Sequence, residues 1–400
     1  MDQSLPAGLV LRTARPTDLE QIGALLTERG EAADAIDHRL VVEDPDAGYP
    51  SCAVVVDGDR VVSTATLLDE TLYLDGLAIP AGQVELVATD REYEGRGLVR
   101  ALMGWAHTRS AARGQLMQVM IGIPYFYRLF GYEYAIRMPH NRSVAAVPPV
   151  EGYLVRVAKA DEIGVQTELQ DAAQRGFDLR MPHSPACRRW LAARTGSVQL
   201  LVERDSVPVG TARITPPDED DALPGEIAAT SPAAVHALLA YGQRERANLM
   251  VKERLGGVVA DTLESCLAPA PQEANAYYAR VADPVALLDH LRPVLSARLA
   301  ASGLASGVGE IVVSFFRSHV RMPYVDGTIS GVLAGGPMQG PGVVGGAGVA
   351  PDQLGALLFG PHGIAGLAAR HPDVYPGPRA DLMTALFPPV SADLLTYYLP

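Results

Sequence analysis

Residues 83–132, QVELVATDREYEGRGLVRALMGWAHTRSAARGQLMQVMIGIPYFYRLFGY, constrain this chain more than any other stretch. The apolar run 84–89 reads as a strand. A polar turn follows and ends in Glu94-Gly95-Arg96-Gly97. Leu98, Ala101, Leu102, Trp105 and Ala106 then recur at helical spacing until Gly114 stops the pattern. Strand, glycine turn and helix N-terminus make a seat for an anion. The first helical turn has unpaired N–H groups and a partial positive charge, which suits a pyrophosphate. Gly95 and Gly97 let the backbone come close, and Arg96 and Arg100 add positive charge. Taken alone, a Gly-x-Gly turn before a helix is as often a plain structural turn.

The downstream half adds chemistry. Residues 116–121 read as a second strand, followed by Pro124-Tyr125-Phe126-Tyr127-Arg128-Leu129-Phe130-Gly131-Tyr132. Together the two halves resemble the acyl-CoA site of the GNAT superfamily of N-acetyltransferases. Tyr127 to Tyr132 fits that family's Y-x-x-x-G-F/Y element without a gap. The loop departs from the usual Q/R-x-x-G-x-G/A, with Glu94 in place of Gln or Arg and Val99 in place of Gly or Ala. A carboxylate beside a pyrophosphate is unfavourable, so Glu94 is expected to point away.

Four hundred residues suggest two or three domains. The formal net charge of −13 argues against a nucleic-acid surface and is compatible with a cationic substrate. No apolar run approaches the roughly 20 residues of a membrane span, and no signal-peptide layout opens the chain. Cys52, Cys187 and Cys266 are odd in number and lack metal spacing, which reads as reduced thiols in a cytoplasmic protein. No metal site is expected.

The chain in order predicts a strand over 9–13 and a helix to about Glu28, with Thr17 and Glu20 spaced as a capping box. The acidic segment 31–49 reads as irregular. Its Asp34, Asp37, Glu43, Asp44 and Asp46 form either a solvated face or the wall of an amine channel. Asp57-Gly58-Asp59 marks a hairpin between strands 51–56 and 60–67, and 72–79 continues the sheet. Pro148-Pro149 closes this unit.

Residues 154–161 (LVRVAKAD) then echo 9–18 (LVLRTARPTD). The same order follows: helical stretches to about Arg194, strands at 198–202 and 207–214, a turn at 216–224, a strand at 226–229 and a helix over 232–246. This reads as an internal repeat whose phosphate loop is replaced by Ala229-Thr230-Ser231-Pro232. A third unit starts after residues 268–271, and in it Asp283-Pro284 caps an apolar helical stripe that Pro293 interrupts. Residues 310–315 and 328–333 read as strands, and the glycine-rich 334–347 as a loop.

The expected fold class is therefore α+β (mixed α/β), with units at 1–147, 148–272 and 273–400. Over nearly its full length the chain resembles the enhanced-intracellular-survival (Eis-like) group. That resemblance implies an active GNAT domain, a degenerate one and a C-terminal sterol-carrier-protein-like domain. It also implies acetyl-CoA as co-substrate and transfer of the acetyl group to a primary amine, such as a small polyamine, an aminoglycoside-like compound or a lysine side chain. Homo-oligomers, often hexamers, are expected by the same resemblance.

By the same resemblance Tyr127 is the general acid toward the CoA sulfur. Val87, Ala88 and Thr89 hold the pantetheine arm, and Gly95, Arg96, Gly97, Leu98, Val99 and Arg100 hold the pyrophosphate. The carboxylate of Pro400 is the implied base, with Glu85 its rival on the face of Gln83 and Val87. An acyl-CoA sensor, or a lipid or small-molecule carrier with a vestigial transferase domain, is the competing reading.

Overall fold

The computed structural model describes residues 3–214, 224–245 and 249–396. Strands β1 (Gln3–Ser4) and β2 (Val10–Thr13) lead into helices α1 (Leu19–Arg29) and α2 (Ala32–Val42). The helix start is set by Asp18 rather than by Thr17 and Glu20. The Asp18 carboxylate accepts the Arg15 N–H at 2.7 Å and a two-pronged contact from Arg12 at 2.6 and 2.8 Å. Helix α2 occupies the segment expected to be irregular. Asp34 accepts the Glu31 N–H at its start, and Asp37, His38, Val41 and Val42 are buried on one face.

β3 (Cys52–Asp57) and β4 (Arg60–Leu74) form the expected hairpin. Asp75-Gly76 then reverse the chain into β5 (Leu77–Thr89), with both turn residues at positive φ, so 72–79 is a second hairpin rather than one extension. α3 (Leu98–Ala112), β6 (Met117–Met120), β7 (Glu133–Arg137) and β8 (Asn141–Ser143) follow. Alternation sorts the sheet's faces. Cys52, Val54 and Val56 pack under Ile22, Leu25 and Leu26 of α1, whereas Ala53 and Val55 pack under Leu98 and Leu102 of α3.

The middle of the chain supplies β9 (Tyr153–Val157), α4 (Ile163–Gln174), β10 (Leu179–Met181), α5 (Pro185–Ala193), β11 (Val198–Arg204), β12 (Val207–Ile214) and β13 (Pro224–Ala229). α6 (Pro232–Glu245), β14 (Met250–Lys252) and α7 (Gly257–Cys266) complete it. β13-β12-β11-β9 make an antiparallel sheet covered by Val235, Leu238 and Leu239 of α6 and Val259 and Leu263 of α7. Residues 215–223, most of the expected turn, lie outside the described residues.

Two local devices recur between this unit and the first. Arg156 grips Glu162 at 2.8 and 2.6 Å, and Glu162 accepts the Lys159 N–H at 2.7 Å, repeating the Arg12–Asp18–Arg15 arrangement at the same spacing. The β12–β13 ladder also skips one residue, as the β4–β5 ladder does. Thr211 and Arg213 oppose Ala228 and Gly225, just as Thr64 and Thr66 oppose Ala88 and Glu85. The extra residue carries positive φ both times, 51° at Leu86 and 55° at Glu226.

The remainder holds β15 (Ala276–Val281), α8 (Pro284–His290), α9 (Arg292–Ser302), β16 (Val308–Ser314), β17 (His319–Val325), β18 (Thr328–Ile329), β19 (Leu333–Gly335), β20 (Ala347–Gly348), α10 (Leu354–Phe359), α11 (Gly363–Ala368), α12 (Ala380–Leu386) and β21 (Ala392–Leu394). Pro293 divides α8 from α9 as expected, and Asp283 accepts the N–H groups of Val285 and Ala286. The expected strand 328–333 is two short ones, β18 and β19, both pairing with β17.

The expected boundaries do not divide the main sheet. Its order is β1-β2-β3-β4-β5-β6-β15-β7, antiparallel throughout except at β5–β6, so β15 sits between two strands of the N-terminal unit. β10 pairs with the end of β4, and β21 lies parallel to β10. The N-terminal and middle units are also joined by charge. Arg194 grips Asp37 at 2.8 and 3.0 Å, and Arg189 bonds Asp44 and Asp46. Asp37 and Asp44 are therefore buried ion-pair partners, whereas Asp46 stays exposed to solvent beside Arg189.

Candidate functional site

The site begins with a mismatch in strand pairing. β6 lies parallel to β5 only along Ala81, Gly82 and Gln83. Beyond them the bulge at Leu86 bends β5 away, and its β6-facing edge has no strand partner among the described residues. A cavity of about 570 Å³ opens there, between Val87, Ala88 and Thr89 on one side and Ile123, Phe126 and Tyr127 on the other.

Its mouth is the turn into α3. Gly97 is the helix N-cap at φ 79°, with no side chain closing the first turn, and Gly95 stands at φ 74°. A side chain is strained in that left-handed conformation, which explains both glycines. The unclosed N–H groups at the start of a 15-residue helix give the mouth its affinity for anions. Gly95, Gly97, Leu98, Val99 and Arg100 all border the cavity. Arg96 does not border it. Its guanidinium lies 4.5 Å from the Tyr93 ring centre and donates to the Glu92 carbonyl. Glu94 borders the mouth rather than turning away, and its carboxylate is paired with Arg29. A cation from the end of α1 thus offsets the charge that makes this loop unusual.

Tyr127 stands at the inner end. Its ring lies so close over Gly122 that a Cβ there would come within 2.2 Å of it, and Phe126, Phe130, Tyr132 and Tyr278 surround it. Burial, and then the nearby Glu85 and Tyr278, push its phenol well above the ordinary tyrosine value. The group therefore keeps its proton at neutral pH, the state a proton donor needs.

Glu85 precedes the bulge and accepts from Gln83 Nε2 at 2.5 Å. Burial raises its carboxyl to about 8. Cross-strand register puts Gln83 opposite Leu68 and Glu70 opposite Ala81, so Glu70, Gln83 and Glu85 share one face of the sheet. Glu70 is buried and raised to about 8, first by burial and then by Asp69 and Glu85. Gln83 Oε1 is buried without a hydrogen-bond partner. The Tyr277 hydroxyl, raised by burial, Asp393 and Glu85, lies beside Thr396. Buried acceptors this sparsely satisfied mark a place where a donor belongs.

The structure thus brings Val87, Ala88, Thr89, Gly95, Gly97, Leu98, Val99, Arg100 and Tyr127 around one cavity and leaves Arg96 outside it, over the Tyr93 ring. Pro400 lies outside the described residues. Sequence reasoning missed Arg29, Glu70 and Tyr277, which reach the region from α1, β4 and β15. Among the described residues no group of three or more His, Cys, Asp or Glu is placed to hold a metal ion. No helix among them is long and apolar enough to cross a membrane. All three cysteines are buried free thiols.

Residues 12–135 match the family model described as an acetyltransferase (GNAT) domain, so this part of the chain is a GNAT domain. GNAT domains use acetyl-CoA as co-substrate. The open edge of β5 and the uncapped start of α3 fit its pantetheine arm and pyrophosphate.

Solved structures share the fold over nearly the whole chain. A GCN5-related N-acetyltransferase from Anabaena variabilis is 16% identical, with 96% of this chain and 99% of that one covered at a TM-score of 0.68. A conserved protein of unknown function from Enterococcus faecalis, described as a probable N-acyltransferase, is 12% identical, with 98% and 100% covered at 0.70. Eis1 from Mycobacterium abscessus is 16% identical, with 96% and 99% covered at 0.58. No curated protein sequence matches the chain.

Proposed function

We propose that the protein is an N-acetyltransferase that moves the acetyl group of acetyl-CoA to a primary amine by direct attack. The observation that carries this reading is the single cavity that joins the uncapped N-terminus of α3, the unpaired edge of β5 and the buried phenol of Tyr127. Acetyl-CoA supplies an activated thioester when bound. The amine nitrogen forms a bond to the carbonyl carbon, and the C–S bond breaks. Tyr127 gives its proton to the departing sulfur, and a carboxylate takes the proton lost by the amine. That carboxylate is the terminal one of Pro400 or the side chain of Glu85. Val87, Ala88 and Thr89 meet the pantetheine arm, and Gly95, Gly97, Leu98, Val99 and Arg100 surround the pyrophosphate.

An amine acceptor is favoured by the face bearing Glu70, Gln83 and Glu85, where two carboxyls and the open Gln83 Oε1 can receive hydrogen bonds. The finer assignment is to an Eis-like protein with an active GNAT unit at 1–147, a degenerate one at 148–272 and a sterol-carrier-protein-like unit at 273–400. The recurring Arg–acid grip, the recurring bulge and the likeness to Eis1 support it. The assignment extends to a cytoplasmic homo-oligomer, a hexamer by resemblance.

Release of free CoA from acetyl-CoA over a panel of amines, wild type beside Tyr127→Phe, tests the proposal. Amine-dependent release should fall by more than roughly tenfold in the variant, with acetyl-CoA still bound. Binding without any amine-stimulated release would instead favour an acyl-CoA sensor. No binding at all would favour the lipid or small-molecule carrier.

A further inference from the structure

The last described strand does not belong to the unit that precedes it. β21 leaves α12 and inserts at a seam, parallel to β10 of the middle unit, which itself pairs with the end of β4. Main-chain bonds hold it at both ends, from Leu179 N–H to the Ser391 carbonyl at 2.9 Å and from Leu395 N–H to the Met181 carbonyl at 2.8 Å.

Three residues are too few to hold a strand by ladder bonds alone. The stronger hold is Asp393. Its Oδ2 accepts from Arg254 Nη2 at 2.6 Å and from Gln174 Nε2 at 2.9 Å, and Gln174 also donates to the Asp393 carbonyl at 3.1 Å. Arg254 and Gln174 are buried and come from the middle unit. Arg254 is fixed in turn by Gln170 Oε1 and the Ile227 carbonyl, both at 2.9 Å, and Gln170 donates to the Glu226 carbonyl. The edge of β13, next to its bulge, is thus occupied by side chains that end on Asp393. A charged pair this buried stays ordered because either partner alone would be left without compensation.

Beyond the clamp, Thr396 is buried beside the Tyr277 hydroxyl, and the β5–β6–β15 register (Gln83 opposite Val119, Val119 opposite Ala279) puts Tyr277 on the sheet face that carries Gln83 and Glu85. We infer that Arg254 and Gln174 are positioning residues for the reaction of the first unit. By gripping Asp393 they fix the final strand so that Thr396 closes the Glu85 side of the site. The middle unit therefore serves catalysis as a clamp rather than as a second transferase. This inference rests on the acetyl-transfer reading, and its test separates the two.

Hydrogen exchange of residues 391–396, acetyl-CoA affinity and amine-dependent turnover are measured on the full chain for wild type, Asp393→Asn, Asp393→Ala and Asp393→Glu. The expected result in the first two variants is faster exchange at Leu395 and a kcat lowered by roughly tenfold, with acetyl-CoA affinity within about twofold of wild type. Asp393→Glu, which keeps the charge, should recover part of kcat. Unchanged exchange overturns the clamp. Faster exchange with unchanged kcat overturns its role in catalysis, and parallel loss of kcat and acetyl-CoA binding reduces it to general support of the fold. If the wild type turns over no amine, the acetyl-transfer reading fails, and the exchange data alone decide whether Asp393 anchors the strand.

Discussion

Strands β5 and β13 carry the same one-residue bulge, but their surroundings differ in a way that accounts for two fates. At β5 the bulge residue is Leu86, and the edge beyond it faces a cavity of about 570 Å³. At β13 it is Glu226, whose side chain turns inward to Arg213 and His183 at 2.8 Å each. Burial alone would drive that carboxyl upward, but Arg213 and His183 hold it well below the usual carboxylate range. The outer edge of β13 is taken by Gln170 and Arg254, and the space beside Ala229 and Thr230 is only about 280 Å³.

The helix that follows differs in the same sense. α3 starts uncapped at Gly97, whereas at α6 Ser231 Oγ accepts the Ala234 N–H at 3.3 Å and Pro232 removes a donor. A bulge alone does not open a slot. The slot needs an unpaired edge and a helix start with nothing in front of it.

Substitutions on the two sides sharpen this contrast. The largest effect should come from Glu226→Ala, which removes the carboxylate that the buried Arg213 and His183 share. Stability should fall by about 3–5 kcal/mol in denaturant melts, while the remaining folded protein keeps its affinity for acetyl-CoA. A loss of affinity in that folded fraction would mean the second bulge takes part in cofactor binding.

Gly97→Val strains the left-handed N-cap and crowds the mouth, so the acetyl-CoA Kd from titration calorimetry should rise by roughly tenfold or more. An unchanged Kd would show that the phosphates bind elsewhere. If Glu85 is the base, it acts only when ionised, so kcat should climb as pH rises through about 8 and then level. The Glu85→Gln profile should lack that limb.

Glu70 offers a stability test of the same face. Folded, it holds its proton up to about 8, against 4.5 ordinarily. Between those values the folded chain binds the extra proton, so stability is lost as pH rises through the window. Glu70→Gln should therefore melt at least about 3 °C above wild type at pH 8.5 and near it at pH 4. The smallest effect belongs to Ser231→Ala. It should cost about 1 kcal/mol of stability and leave acetyl-CoA binding unchanged, unlike the change at Gly97.

The slot was legible in the sequence because its parts lie within fifty residues and each has a local cause. Gly95 and Gly97 answer to backbone conformation, Leu98 to Ala106 to helical periodicity, and Tyr127 to Tyr132 to an unbroken motif. The Arg12 and Arg156 strands were legible as echoes for the same reason. What stayed hidden depends on partners distant in the chain. Arg29 neutralises Glu94 from 65 residues away, and Asp37 and Asp44 look like part of a solvated run until Arg194, just after α5, and Arg189, within it, reach them. Arg96 looks like a phosphate ligand, but the neighbouring Tyr93 ring takes it. β17 alternates, with Val320, Met322 and Tyr324 buried, although it carries Pro323, a residue uncommon inside strands.

The place of β15 between β6 and β7 bears on how the chain is made. As residues leave the ribosome, the edge of β6 and the whole of β7 must wait for residue 281. At ordinary synthesis rates that delay is on the order of ten seconds. During it the nascent chain exposes an apolar strand edge of the kind that recruits chaperones or neighbouring chains. A polypeptide cut at residue 147 would keep that edge permanently. The cavity could then be fully encoded in such a fragment and still belong to a protein that cannot be isolated without its partners downstream.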